Sequence, residues 1–164
     1  MVFKQIQQKI QDWSSIRQNT KKWQQDGELV VFTNGCFDLL HYGHLHYLCD
    51  AKDCGDRLIV GLNAAASVAR LKGQHRPIND ELTRQYMLAA LTVVDAVVVF
   101  KEDTPLNLIK TIMPDILVKG GDWAPEQIVG AKEVIANGGK VLSLPFVKGY
   151  STTNIEAKII ANAP

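Results

Sequence analysis

Cysteine is scarce in this chain, and the three that occur, Cys36, Cys49 and Cys54, form an odd set without framework spacing. They exclude a fold stapled by disulfides and fit reduced thiols in a cytoplasmic setting. Long hydrophobic runs are missing as well: no stretch approaches the roughly 20 apolar residues that a membrane-spanning helix needs. The opening segment from Met1 to Ile10 is broken by Lys4, Gln5, Gln7, Gln8 and Lys9, where a secretory leader would have an apolar centre. An excess of charge is lacking too, since 18 lysines and arginines face 17 aspartates and glutamates for a formal charge of +1. Without a broad basic field a nucleic-acid surface is not indicated, and any recognition of phosphate must be local. The expectation is a soluble cytoplasmic protein with neither membrane nor nucleic acid as partner.

What is present is enough apolar residue for a real core: 46% of 164 residues, a length suited to one folded unit. Five short apolar runs, Leu29–Phe32, Leu58–Leu62, Ala96–Phe100, Ile116–Val118 and Val141–Leu144, alternate with helical patterns. Their continuous apolar character indicates strands covered on both faces, and the intervening helices supply the crossovers that parallel pairing requires. The fold class expected is a doubly wound, Rossmann-like α/β protein with a five-stranded parallel sheet. Ahead of the first strand, residues 4 to about 24 are polar and Gln-rich, with Ile6, Ile10, Trp13 and Ile16 at helical spacing. That pattern predicts one amphipathic helix laid against the domain or against a partner. The division expected is therefore a helical extension over 1–26 and a single domain over 27–164.

The segment with chemical content follows the first strand. Thr33-Asn34-Gly35-Cys36-Phe37-Asp38-Leu39-Leu40-His41-Tyr42-Gly43-His44 delivers two histidines around one glycine at a strand-to-helix junction. Gly43 permits close backbone approach, and His41 and His44 can face an anion whose other contacts are the first free N–H groups of a helix. Zinc binding is the competing reading, because Cys36, His41, His44 and His46 crowd together, yet a second distant ligand pair is missing. His46 and His75, taken singly, read as ordinary surface or core residues. Cys36 is either a reactive thiol beside the site or a small residue at a tight strand end.

Four further segments fall beyond the carboxyl ends of strands or at helix starts, where an open parallel sheet binds its ligands. Arg70, Lys72 and Arg76 stand in or beside a loop marked by Gly73 and Pro77, a plausible phosphate clamp. Asp80 to Arg84 opens a helix in which Arg84 either faces the cleft or pairs with Asp80 at i,i+4. Lys119-Gly120-Gly121-Asp122, followed by Trp123, offers unobstructed backbone to a flat base or a ribose. Ser151 is a good N-cap for a last helix, with Thr152 and Thr153 beside it as hydroxyl donors.

These residues together resemble the nucleotidyltransferases, whose pattern Gly-x-Phe-Asp-x-x-His-x-Gly-His is met by Gly35, Phe37, Asp38, His41, Gly43 and His44. The resemblance extends through Val60-Gly61-Leu62-Asn63, Arg70-Leu71-Lys72-Gly73, Val118 to Asp122 and Gly149-Tyr150-Ser151-Thr152-Thr153. It is closest to the adenylyltransferase domain of the ADP-heptose synthesis enzymes, in a free-standing form. It implies transfer of AMP from ATP to D-glycero-β-D-manno-heptose 1-phosphate, with Mg2+ carried by the ATP and no fixed metal ligands on the protein. It implies catalytic roles for His41, His44 and Lys72. Nucleotide and phosphate contacts are implied for Thr33, Gly35, Phe37, Gly43, Lys119, Gly120, Asp122, Ser151, Thr152 and Thr153. Acceptor contacts are implied for Asp38, Asn63 and Arg84, and a homo-oligomer is implied as well. Glycerol-phosphate cytidylyltransferases carry Arg-Thr-x-Gly-Ile-Ser-Thr-Thr near the end, and here Phe146 and Val147 precede Lys148, so that arginine is absent. The alternatives are a cytidylyltransferase for a polyol phosphate and a nucleotide-binding module without turnover.

Overall fold

Five parallel strands pair in the order β3-β2-β1-β4-β5 in the computed structural model, which describes residues 1–163. They are β1 (Val30–Gly35), β2 (Arg57–Asn63), β3 (Ala96–Phe100), β4 (Ile116–Gly120) and β5 (Lys140–Leu144). All five fall on the apolar runs of the sequence; β3 matches its run residue for residue, and the ends of the others differ by at most three residues. The sheet is sandwiched between two helical layers, as its two-sided apolar strands require. On one face, Phe32, Ile59, Val98 and Leu117 pack with Ile16 of α2 (Trp13–Gln25), Leu108 and Ile109 of α6 (Leu106–Ile112) and Val134 of α7 (Ala131–Ala136). On the other, Val31, Leu58, Val60 and Val118 pack with Tyr47 and Leu48 of α3 (Tyr42–Lys52) and Leu88 of α5 (Glu81–Ala89). Each of these fully buried aliphatic or aromatic side chains stabilises the fold by about 1.5–3 kcal/mol.

The amino-terminal segment departs from the single helix expected over 4–24. It forms α1 (Val2–Gln8) and α2, separated by an extended link. In that link Val97 N donates to Lys9 O at 2.8 Å and Gln11 N donates to Val97 O at 2.9 Å, which makes Ile10 a parallel bridge partner of Val97. The unpaired edge of β3 thus takes the backbone that a continuous helix would have used, and covering an edge in this way removes a template for aggregation. Asp12 sets the restart: its carboxylate caps α2 by accepting from Ser15 N at 2.7 Å. Helix and strand propensity are both weak here, so a contact 87 residues away in the chain decides.

Strand order reverses between β1 and β4, where Val31 pairs with Ile116 and Phe32 with Leu117. Beyond their carboxyl ends the chain splits to opposite sides of the sheet and leaves a crevice. No helix among the described residues is long and apolar enough to cross a membrane.

Candidate active site

The crevice is a cavity of about 410 Å³, within the range of small-molecule sites. Its floor is the end of β1 and its loop, Asn34 to Asp38, with the end of β4, Lys119 and Gly120. His44, Lys72 and Thr152 line it as well, although they arise from α3, the end of α4 (Ala65–Lys72) and the start of α8 (Thr152–Ala161).

The turn from β1 into α3 is built around two bare positions. A Cβ on Gly35 would lie 2.9 Å from Cε2 of Phe37, whose ring folds back over it from a residue with φ of 43°. A Cβ on Gly43 would meet Tyr150 Cβ at 2.9 Å and the His41 ring at 3.2 Å. Glycine at 43 therefore lets the last loop and the histidine pair close on the start of α3. His41 is the N-cap of α3, and its Nδ1 accepts from His44 N at 3.3 Å, which leaves the ring's proton on Nε2 when neutral. The two imidazoles stack with centroids 3.8 Å apart and an interplanar angle of 19°. His41 is the outer ring of this stack and does not line the cavity; His44 does. Nδ1 of His44 is buried without a partner among the described residues. Burial, with the nearby charges of His41 and Lys72, pulls the His44 imidazolium down to about 4. Burial also lowers His41. Both rings are held neutral in the free protein, in a place where an anion would reverse that preference.

Two lysines complete the cationic lining. Lys72 is exposed and makes no ion pair among the described residues. Lys119 accompanies the cavity floor; its ammonium donates to Asn34 Oδ1 at 3.3 Å, and burial lowers its pKa. A desolvated ammonium without a carboxylate favours an anionic ligand. The other basic residues of the expected clamp are engaged elsewhere. Arg70 pairs with Asp103 at 2.6 Å and donates to Lys101 O. Arg76 bridges Asp38 at 2.7 Å and Glu156 of α8 at 2.5 Å.

Asp38, Asn63 and Arg84 were expected on the acceptor side, and the structure gives them internal partners. Asp38 and Asn63 line the cavity. Burial alone would raise the Asp38 carboxyl, but the amides of Ile78 and Asn79 and the Arg76 guanidinium outweigh it and hold the group below its ordinary range. Its carboxylate thus fastens the 76–79 loop. Asn63 donates to Ser67 Oγ at 3.0 Å. Arg84 does not reach the cleft and does not pair with Asp80: it is 1% exposed and donates to the carbonyls of Cys36, Asn63 and Asn79. Asp80 instead caps α5 through Thr83 N. Arg84 stands one layer behind the wall, where it ties the ends of β1 and β2 together.

Other expected positions divide in the same way. Thr33 is fully buried and its hydroxyl pairs with Tyr47 Oη at 2.6 Å, because strand alternation turns it toward α3. Asp122 is exposed and outside the lining. Of Ser151, Thr152 and Thr153, only Thr152 lines the cavity; Ser151 Oγ accepts from Asn154 N and caps α8. His46 pairs with Asp50 on the surface, and no group of three or more His, Cys, Asp or Glu among the described residues is placed to hold a metal ion. Residues that sequence reasoning did not place in the site include Tyr47, Leu71, Asp103, Thr104, Pro105, Gln127, Ile128, Val129 and Phe146. Leu71 and Phe146 adjoin segments already singled out; the others carry no local signal.

Comparison with known proteins agrees with this geometry. The cytidylyltransferase-like family model matches residues 32–158. The chain is 56% identical over 146 residues to the bifunctional protein HldE of Haemophilus ducreyi, a match that covers 89% of this chain and 31% of that protein. It is 59% identical over 129 residues to the bifunctional protein HldE of Nitrosococcus oceani, over 79% of this chain and 27% of the other. The chain thus spans less than a third of these relatives. The crystal structure of the lipopolysaccharide core biosynthesis protein from Thermoplasma volcanium superposes with a TM-score of 0.59 at 31% identity, over 76% of this chain and all of that one. The pantoate-beta-alanine ligase of Francisella tularensis shares the fold, with a TM-score of 0.58 at 14% identity over 91% of this chain and 76% of that one. With its histidine pair at the switch point of a β3-β2-β1-β4-β5 sheet, the chain belongs to the cytidylyltransferase-like family of nucleotidyltransferase domains.

Proposed function

We propose that the protein transfers AMP from ATP to D-glycero-β-D-manno-heptose 1-phosphate, releasing pyrophosphate, in the cytoplasm where ATP is supplied. One observation carries this reading: His44, Lys72, Lys119 and Thr152, from four separate elements, converge on one cleft with no carboxylate among the described residues paired to either lysine. The extensive identity to bifunctional HldE proteins and the residues shared with ADP-heptose synthesis enzymes support the choice of substrates.

The chemistry asks little proton transfer of the protein. An anionic oxygen of the sugar phosphate attacks the α-phosphorus, a new P–O bond forms, and the bond to the β-phosphate bridge breaks with its electron pair leaving on pyrophosphate. Catalysis is then alignment and neutralisation of charge. His44 Nε2 supplies a hydrogen bond that strengthens as the ring gains positive character, with His41 stacked behind it. Lys72 and Lys119 draw two polyanions into one volume. Thr152 and the free N–H groups at the start of α8 hold the departing phosphates. Magnesium enters on the nucleotide, since hard cations of its size keep phosphate oxygens and water as ligands.

A panel of nucleotides and sugar phosphates with product mass determination tests the proposal. ADP-heptose and pyrophosphate are expected only with ATP and the heptose 1-phosphate together. CDP-polyol formation from CTP would establish the cytidylyl alternative, and nucleotide binding without any product would establish a module without turnover.

Binding should also be linked to protons. Because His44 is neutral in the free protein above about 4, a polyanion beside it raises its pKa and binding takes up protons. Affinity for ATP is expected to strengthen as pH falls from neutrality toward that value, and calorimetry in buffers of different ionisation heat should show uptake that His44→Gln diminishes. Equal uptake in both proteins would remove His44 from the phosphate site.

A further inference from the structure

The last helix is held to the domain by very little packing. None of the ten residues of α8 is buried, and Ile159 and Ile160 stand 61% and 75% exposed. A helix of this length owes its place to an apolar face packed on a core, and without one it is marginal. The segment ahead of it is better fixed, since a Cβ on Gly43 would meet Tyr150 Cβ at 2.9 Å and the Tyr150 ring lies 5.0 Å from that of Tyr42. Thr152, the first residue of α8, nevertheless lines the cleft.

One side chain reaches across to this helix. Among the described residues, the only side-chain hydrogen bond or ion pair from α8 to any residue before Gly149 joins Glu156 Oε2 to Arg76 Nη2, at 2.5 Å. The other arm of the same guanidinium, Nη1, lies 2.7 Å from Asp38 Oδ2. Asp38 is itself fastened by the amides of Ile78 and Asn79 at 2.8 and 2.9 Å, so the arginine projects from a fixed base. That base is the loop that follows Lys72, and Asp38 belongs to the histidine turn. A planar fork can hold two carboxylates at once in fixed directions, which a single ammonium cannot. Arg76 is thus a clasp with one jaw on the turn after β1 and the other on α8.

We propose that Glu156 is a positioning residue for the transfer reaction: through Arg76 it latches α8 to the Asp38 turn and so keeps Thr152 and the start of the helix on the cleft. This rests on the nucleotidyltransferase reading and adds to it a residue that touches no substrate. Because α8 has no buried side chain, its docked and undocked states lie close in free energy, and one ion pair can set the balance between them. The affinity measured for a ligand that needs the docked helix then falls in proportion to the docked fraction.

The test is ATP affinity of the full chain by calorimetry, with steady-state kinetics and thermal unfolding of the same variants. Glu156→Ala is expected to weaken ATP by about fivefold, the shift that one partly exposed ion pair gives to a two-state balance. The sign is diagnostic, because removing a carboxylate near a polyanion would by charge alone strengthen binding. The KM for ATP should rise by the same factor while kcat at saturating ATP stays within about twofold, since bound nucleotide pulls the helix back. Tm should stay within about 2 °C, as no core contact is lost. Glu156→Gln should show a smaller loss in the same direction. Arg76→Ala should weaken ATP as well, and adding Glu156→Ala to it should cost nothing further, because the two act as one unit. Unchanged or strengthened ATP binding in Glu156→Ala, or losses that add in the double variant, overturns the clasp. Wild-type protein that binds no ATP overturns the transferase reading itself, a different result from wild-type binding with an indifferent variant.

Discussion

His44→Ala is expected to lower kcat by about 10²–10³-fold, the usual loss when one donor aimed at developing charge is removed. The protein should remain folded. His44 is only partly buried, its Nδ1 has no partner among the described residues, and its removal takes away that atom as well as the contacts with His41 and Phe37. His41→Ala should cost less than His44→Ala, because His41 is the outer ring and touches the cleft through its neighbour. If the stack acts as a unit, the double variant will lose little more than His44→Ala alone. Steady-state kinetics with circular dichroism on the three variants decides this. Turnover of His44→Ala within about twofold of the wild type, with the fold retained, would falsify a catalytic role for the pair.

The sheet was legible because its strands are short, continuous apolar runs, a pattern dictated by burial on both faces. The histidine turn was legible because local geometry demands its residues: Gly43 is bare where Tyr150 and His41 close on it. What escaped reading depends on contacts between distant segments. Ile10 looked like part of a helix stripe until the edge of β3 claimed its neighbours' backbone. Thr33 looked like a cleft hydroxyl, but pleating points it at Tyr47, whose own phenol burial pushes up to about 12. Arg76 looked like a phosphate clamp and is held between Asp38 and Glu156. In each case residue type suggested a role that a partner between 14 and 87 positions away reassigned. Trp123 and Phe146 illustrate the converse, since only the folded chain shows that two aromatics 23 residues apart share one pair of glycines.

Arg84 makes the second large expectation, on stability. A guanidinium 1% exposed carries a heavy desolvation cost, visible in the lowering of its pKa by burial, and its Nη2 finds no partner among the described residues. Its return is structural: Nη1 donates to Cys36 O at 2.9 Å and Asn63 O at 2.8 Å, and Nε to Asn79 O at 3.2 Å. Those carbonyls follow β1, end β2 and precede α5. Arg84→Ala removes the donors and leaves a void, and each buried carbonyl left unpaired costs about 1–3 kcal/mol. Relief of the arginine's own desolvation offsets part of this, so the net loss should be about 3–5 kcal/mol, a fall in Tm on the order of 10 °C for a chain of this size. Arg84→Lys should fall between, because one ammonium cannot reproduce a fork that reaches three acceptors. Thermal unfolding of the two variants checks the order. A Tm for Arg84→Ala within about 1 °C of the wild type would mean that solvent or relaxed backbone satisfies those carbonyls.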